Sequence, residues 1–232
     1  MPNAASGLVI AARPGRVAGL IALLVLAISA GSAAAQRSGV NVPGDFAYYV
    51  LALSWSPSYC AAEGTAADRL QCDSGRPYDF VVHGLWPQYE RGWPEFCPAE
   101  PSEAPPQLVR DMLDLIPSEG LIRHQWRKHG TCSGLTPRGY FETTRRARSG
   151  IAVPPAFQAP DEWRVVSPDD VRRAFLRANP GLPADGIAVT CDRQRLREVR
   201  VCLDRHGLDF RSCPPVAQRA CGRSSVRVPP VR

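Results

Sequence analysis

The most continuous apolar run of the chain comes first. Arg13 and Arg16 precede an apolar stretch from Val17 to Ile28, and small residues follow, ending in Ala33-Ala34-Ala35. A basic start, a short apolar core and a small-residue end are the pattern of a secretory signal peptide. The run is shorter than the roughly 20 residues of a membrane span, and no later stretch is apolar enough to be one. Residues 1–35 are therefore expected to be a signal peptide and residues 36–232 the mature domain, exported to the periplasm or secreted, with no stable membrane association once the signal is removed.

Beyond that leader the pattern changes to short elements. Phe46 to Trp55 carries aromatic and aliphatic residues in the manner of a buried strand. Tyr78 to His83 predicts a second strand, with Tyr78, Phe80 and Val82 on one side and Asp79, Val81 and His83 on the other, after which Gly84 and Pro87 turn the chain. Ser167-Pro168-Asp169-Asp170 supplies an N-cap, a proline for the first helical position and acids for the first turn. Val171, Ala174, Phe175 and Ala178 follow at helical spacing, and the helix should end near Asn179-Pro180-Gly181. Ile187 to Cys191 and Val199 to Leu203 read as strands, and His206 then falls with Asp204 and Gly207 in a solvated turn.

Leu121 to His129 predicts a further helix. At about 100° per residue, His124, Gln125, Lys128 and His129 share an arc of about 140°, while Trp126 points away and Gly130 offers a C-cap. Such a segment presents two imidazoles, an amide and an ammonium to one side and anchors itself with the indole. A solvated polar face over a core tryptophan would give the same pattern.

No linker, repeat or low-complexity run divides the 197 residues from 36 to 232, so one domain is the default. Pro98 to Pro106 and Pro154 to Pro160 read as surface connections, and Ser224 to Arg232 as a frayed tail.

All eight cysteines, at positions 60, 72, 97, 132, 191, 202, 213 and 221, follow the leader. An even number in an oxidising compartment predicts four disulfides and leaves no thiol nucleophile. No Cys-x-x-Cys pair provides zinc-finger spacing, and the pairing stays open among on the order of a hundred possibilities.

Charge adds little by itself. Loss of residues 1–35 removes two arginines and no acid from a chain of 28 basic and 22 acidic residues, so 26 then face 22, a net +4. A mild basic balance permits a polyanionic substrate without requiring one. More telling is that Lys128 is the sole lysine and that it stands between His124 and His129, while His83 lies in another short segment and His206 is the only other histidine. An imidazole gives and takes protons near neutrality, with an ordinary pKa of about 6.5, and a compact ammonium is a point charge rather than a fork. Two imidazoles beside a fixed cation suit phosphoryl transfer.

Val82-His83-Gly84-Leu85-Trp86-Pro87 and His124-Gln125-Trp126-Arg127-Lys128-His129-Gly130-Thr131-Cys132 resemble the two active-site segments of the ribonuclease T2 family. Their order, a gap of about forty residues and the start Leu53-Ser54-Trp55-Ser56-Pro57-Ser58-Tyr59-Cys60 extend the resemblance over nearly the whole mature chain. It implies an α+β fold: a single disulfide-stapled domain with a central antiparallel sheet and helices packed against it. It also implies a monomeric endoribonuclease that needs no cofactor and no metal. Single-stranded RNA is cut by transesterification to 2′,3′-cyclic phosphate ends, which are then slowly hydrolysed to 3′-phosphates.

By the same resemblance His129 is the base, His83 the acid, His124 a phosphate ligand and Lys128 the charge that stabilises the transition state, with Trp86 stacking on the base at the cleavage site. Tyr89 and Trp93 are candidates to extend that platform, with core packing as the equal alternative. Gln125 departs from the family, which usually has glutamate there. An amide hydrogen-bonds but cannot raise an imidazole pKa as a carboxylate does, so an altered acid limb and a lower rate are expected. The implied disulfides are Cys60–Cys72, Cys97–Cys132, Cys191–Cys221 and Cys202–Cys213, the second tying the two catalytic segments together.

Two rival readings follow from the same residues. A metal-dependent hydrolase would use His83, His124 and His129 as ligands, but His124 and His129 are five apart rather than four, and no glutamate follows the first. An exported RNA-binding protein with weakened or lost catalysis is the other, prompted by Gln125.

Overall fold

The computed structural model describes residues 41–231, so the predicted leader lies outside the described residues. The strands are β1 (Tyr48–Trp55), β2 (Phe80–Gln88), β3 (Arg164–Val166), β4 (Ile187–Cys191), β5 (Leu196–Asp204) and β6 (Val226–Val228). The helices are α1 (Ser56–Glu63), α2 (Arg69–Cys72), α3 (Pro106–Asp111), α4 (Glu119–Lys128), α5 (Pro137–Ser149), α6 (Pro168–Ala178) and α7 (Pro214–Ala217).

Four strands form an antiparallel sheet in the order β2-β1-β5-β4, and β3 pairs with β6 in a second, two-stranded sheet. This is an α+β fold. One face of the large sheet carries Leu51, Leu53 and Trp55 of β1 with Val199, Val201 and Leu203 of β5, and packs against Ile122 and Trp126 of α4, Tyr140 and Phe141 of α5 and Phe175 of α6. The opposite face carries Tyr48, Val50 and Cys202 and is only partly covered, by Val216 of α7. Alternation along β1 and β5 thus separates a dry face from a face that is only partly covered.

β2 runs on through Gly84 and Pro87 instead of turning there. Pro87 has no N–H to donate, yet β2 is an edge strand, where a missing donor leaves no ladder bond unmade. The pairing with β1 slips once: Ala52 faces Gly84 and Leu53 faces Val82, so His83 is the extra residue of a β-bulge. Before the bulge the even residues Phe80 and Val82 enter the core; after it the odd residue Leu85 does.

The tail is not frayed. Val226 and Val228 are buried, and the Trp55 indole donates to the Pro229 carbonyl at 3.1 Å. The pairing of β6 with β3, which no local pattern announced, holds the tail down. α6 begins at its Ser167 cap and ends at Asn179, as its sequence predicts. α5, capped by Thr136, is an element the hydrophobic pattern did not announce, because two of its buried positions are threonines.

The disulfides are Cys60–Cys72, Cys97–Cys132, Cys191–Cys221 and Cys202–Cys213, the pairs the resemblance implied, and no cysteine among the described residues is free.

Candidate active site

The bulge determines what the open face of the sheet displays. In an unbroken strand, residues three apart point to opposite faces. The extra residue instead brings His83 and Trp86 to the same side, with ring centroids 5.1 Å apart and the rings edge to face. Bulges re-aim side chains in this way beside active sites.

α4 closes the other side. Its Ser118 cap accepts from Leu121 N–H, and the helix runs to Lys128 with His129 as its C-cap. Gly130 is therefore not the cap that the sequence indicated. It opens a 3-10 turn pressed against Trp126 and Tyr140, where an added Cβ would lie 2.4 Å from the indole and 2.9 Å from the phenol ring. Trp126 is buried and its indole donates to the Pro101 carbonyl. The helix meets β2 at Gly84, where an added Cβ would sit 2.0 Å from Gln125 Oε1 and 2.4 Å from Trp86 Nε1, so any larger residue would have to displace that hydrogen-bonded pair.

His83, Trp86, His124, Gln125, Lys128 and His129 line one cleft of about 330 Å³, together with Gln88, Trp93, Arg200 and Arg219. Tyr89 is not among its walls; its hydroxyl lies 3.5 Å from Asn41 Oδ1 instead. Trp93, its fellow candidate, does line the cleft, with the Arg219 guanidinium 5.2 Å from its ring centre. His206 sits exposed in the turn where the Asp204 carboxylate accepts from its backbone N–H. Among the described residues no three or more His, Cys, Asp or Glu side chains group as a metal site.

Each imidazole has a different environment. His129 is buried, its ring centroid 5.5 Å from that of Trp86, and its Nδ1 makes no hydrogen bond among the described residues. Burial first, then the Lys128 charge and the other two histidines, push its pKa down to about 3, so the ring is neutral at ordinary pH. His124 is exposed, and it too is lowered by partial burial and by Lys128. His83 stands 2.5 Å through Nδ1 from the buried carboxylate of Glu198 on β5.

Glu198 is the residue that sequence reasoning missed. Burial alone would raise its pKa, but the hydrogen bond and charge of His83, then Arg200, outweigh burial and hold the carboxyl at about 2. Arg200 donates to Oε2 through Nε at 2.9 Å and Nη2 at 2.7 Å, and its guanidinium lies 5.2 Å from the Trp86 ring centre. The sequence shows only an acid among arginines in a strand, which is no signal by itself.

Gln125 is buried, and its Oε1 accepts from Trp86 Nε1 at 2.8 Å. Its amide oxygen thus serves the indole rather than an imidazole. Lys128 Nζ lies 3.4 Å from Glu95 Oε2. The Cys97–Cys132 bridge joins the loop after β2 to the turn after α4 and so links the two walls of the cleft.

Comparison with known proteins places this cleft in context. The model of the ribonuclease T2 family matches residues 46–213. A ribonuclease of Aeromonas hydrophila is 35% identical over 87% of this chain and 93% of its own length. Ribonuclease I of Escherichia coli is 29% identical, over 76% and 80% respectively. Among solved structures, RNase NT in complex with 5′-AMP superposes with a TM-score of 0.63 at 26% identity, covering 80% of this chain and 99% of that one.

Proposed function

Given that the chain belongs to the ribonuclease T2 family and is a ribonuclease of that type, we propose that it cleaves single-stranded RNA by transesterification, with His129 as base and His83 as acid. The observation that carries this reading is the placement of both rings against Trp86 in one cleft, at 5.5 and 5.1 Å, with the sole lysine lining the same cleft.

The 2′-hydroxyl of RNA lies beside its own phosphorus, so removing its proton starts an in-line attack. Neutral His129 is in the form that accepts that proton, and a bound phosphate anion would raise its basicity in the encounter. The P–O5′ bond breaks as the new P–O2′ bond forms, and His83 protonates the departing 5′-oxygen through its Nε2. The Glu198 carboxylate holds the opposite nitrogen, Nδ1, and so fixes which nitrogen faces the cleft. Lys128 and His124 bear on the phosphate oxygens, as fixed cations do in phosphoryl transfer. In the slow second step water replaces the 2′-oxygen, the two histidines exchange roles, and a 3′-phosphate results. Side chains carry every proton, so the reaction needs no metal.

Trp86, held by Gln125 and backed by Arg200, stacks on the base at the cleavage site, with Trp93 beside it. Stacking accepts any base, which favours broad specificity. Residues 36–232 form the exported catalytic domain, working as a monomer after loss of residues 1–35.

The test is incubation of the purified protein with a defined oligoribonucleotide in chelator, followed by mass determination of the ends. Cyclic phosphate and then 3′-phosphate ends are expected. RNA that is bound but uncut at every pH would overturn catalysis, and cleavage abolished by chelator would overturn the metal-free mechanism.

A further inference from the structure

We propose that Arg219 binds a second phosphate of the RNA strand, the one on the 5′ side of the nucleoside that lies on Trp86. The inference rests on the ribonuclease reading above and adds a substrate contact to it.

Among the described residues, Lys128, Arg200 and Arg219 are the lysine and arginines that line the cleft. Two of them are already matched by acids. Lys128 faces the Glu95 carboxylate at 3.4 Å, and Arg200 grips Glu198 Oε2 through Nε and Nη2. Even Arg211, on the approach to α7, pairs with Glu90 at 3.1 Å. Arg219 is exposed and has no carboxylate partner among the described residues; its guanidinium lies over the face of Trp93, 5.2 Å from the ring centre. An indole face steadies a cation without neutralising it, so the guanidinium keeps both its charge and its fork of donors. A planar fork of that kind matches a phosphate through two parallel N–H bonds.

The place of Arg219 in the fold indicates which phosphate. Its N–H donates to the Val216 carbonyl at 3.0 Å, just past α7, and Cys213 at the head of α7 is bridged to Cys202 of β5. Val216 is buried with Tyr48 and Val50 on the sheet face against which Trp86 also packs. Arg219 therefore hangs from a segment fixed on the Trp86 side of the cleft. The groups assigned to the scissile phosphate, His124 and Lys128, come instead from α4. Trp93 stands between the two cations: its indole nitrogen is 3.4 Å from the Glu95 oxygen that faces Lys128, and its ring lies against Arg219. Consecutive phosphates of a strand are likewise separated by one nucleoside. The nucleoside on Trp86 carries the scissile phosphate on its 3′-oxygen and one other on its 5′-oxygen. With the first held from α4, Arg219 faces the second.

The experiment compares three substrates with the same two bases. A dinucleoside monophosphate has the scissile phosphate alone, a second dinucleotide adds a 5′-phosphate, and a third adds a 3′-phosphate beyond the departing nucleoside. The ratio of kcat/KM for the second to that for the first cancels any difference in the folded fraction between variants. At low salt it is expected to be about 3- to 10-fold in the wild type, the range of one charge-assisted contact near the surface. Arg219→Ala should bring it close to one and Arg219→Glu below one, while Arg219→Lys keeps part of it. A wild-type ratio of one, or the same ratio in wild type and Arg219→Ala, would overturn the proposal. So would a gain from the 3′-phosphate that Arg219→Ala removes, since the arginine would then serve the other end of the substrate. Should the wild-type protein turn over none of the three, the ribonuclease reading fails. Binding of uncleavable 2′-deoxy dinucleotides with and without the 5′-phosphate, followed by tryptophan fluorescence, then decides Arg219 separately, with equal wild-type affinity for the two overturning it.

Discussion

Glu198 Oε1 lies 2.5 Å from His83 Nδ1 across 115 residues of sequence, with Arg200 gripping the second carboxylate oxygen. The imidazole proposed as the acid thus has a buried carboxylate at its back. Glu198→Gln keeps a hydrogen-bonding group and removes the charge. It is expected to lower kcat on a dinucleotide by roughly 10- to 100-fold, part of the 10²–10⁴ typical of a general acid. Retention of the full rate would show that the pair is structural only.

Gln125→Glu places a carboxylate in the wall that also holds His129. A charge there favours the protonated form of His129, the proposed base, so the acid limb of kcat/KM should move to higher pH. Trp86 keeps an acceptor, so base stacking and KM should change little. A pH–rate comparison of the two proteins checks this, and an identical acid limb would mean that residue 125 acts on the indole alone.

Acid should destabilise the fold in two stages. The pKa of His129 is about 3 folded against an ordinary 6.5, and that of Glu198 about 2 against 4.5, so for both groups the unfolded chain binds more protons. Their stabilising contribution is full above pH 6.5. It falls as pH drops from 6.5 towards 3 through His129, and below 4.5 through Glu198 as well. At about 1.4 kcal/mol per unit of separation, the total is on the order of several kcal/mol. Urea denaturation from pH 7 to pH 4 should show the loss beginning near 6.5, and His129→Gln should flatten the upper stage. A midpoint constant down to pH 5 would contradict the environment described for His129.

Cys97→Ala with Cys132→Ala removes the tie between the loop after β2 and the turn after α4. Loss of a native bridge typically costs about 2–5 kcal/mol. Activity at temperatures where circular dichroism is still native should fall more than stability, because register between the cleft walls is what the bridge maintains. Equal activity per folded molecule would reduce its role to stability.

Much of the site was legible before any coordinates. The histidines, the single lysine and Gln125 stand in two short segments, and a capped helix such as α6 announces itself because its cap, first turn and apolar stripe are neighbours in sequence. Other features were not legible. Tyr89 and Trp93 looked alike as candidates, and only the path of the loop sends one into the cleft and the other towards Asn41. The tail looked polar and loose until β3 and the Trp55 indole gave it partners.

Sequence alone determined the chemistry available: which groups can move protons, and that eight cysteines can close four bridges. These are properties of residues and of their near neighbours. Tertiary structure decided which groups work together. A one-residue slip opposite Ala52 and Leu53 brings His83 to the face of Trp86, and the pairing of β1 with β5 lays Glu198 beside Ser54 and behind His83. Register is a contest between whole strands over which face is buried, and no single residue of either strand carries its outcome.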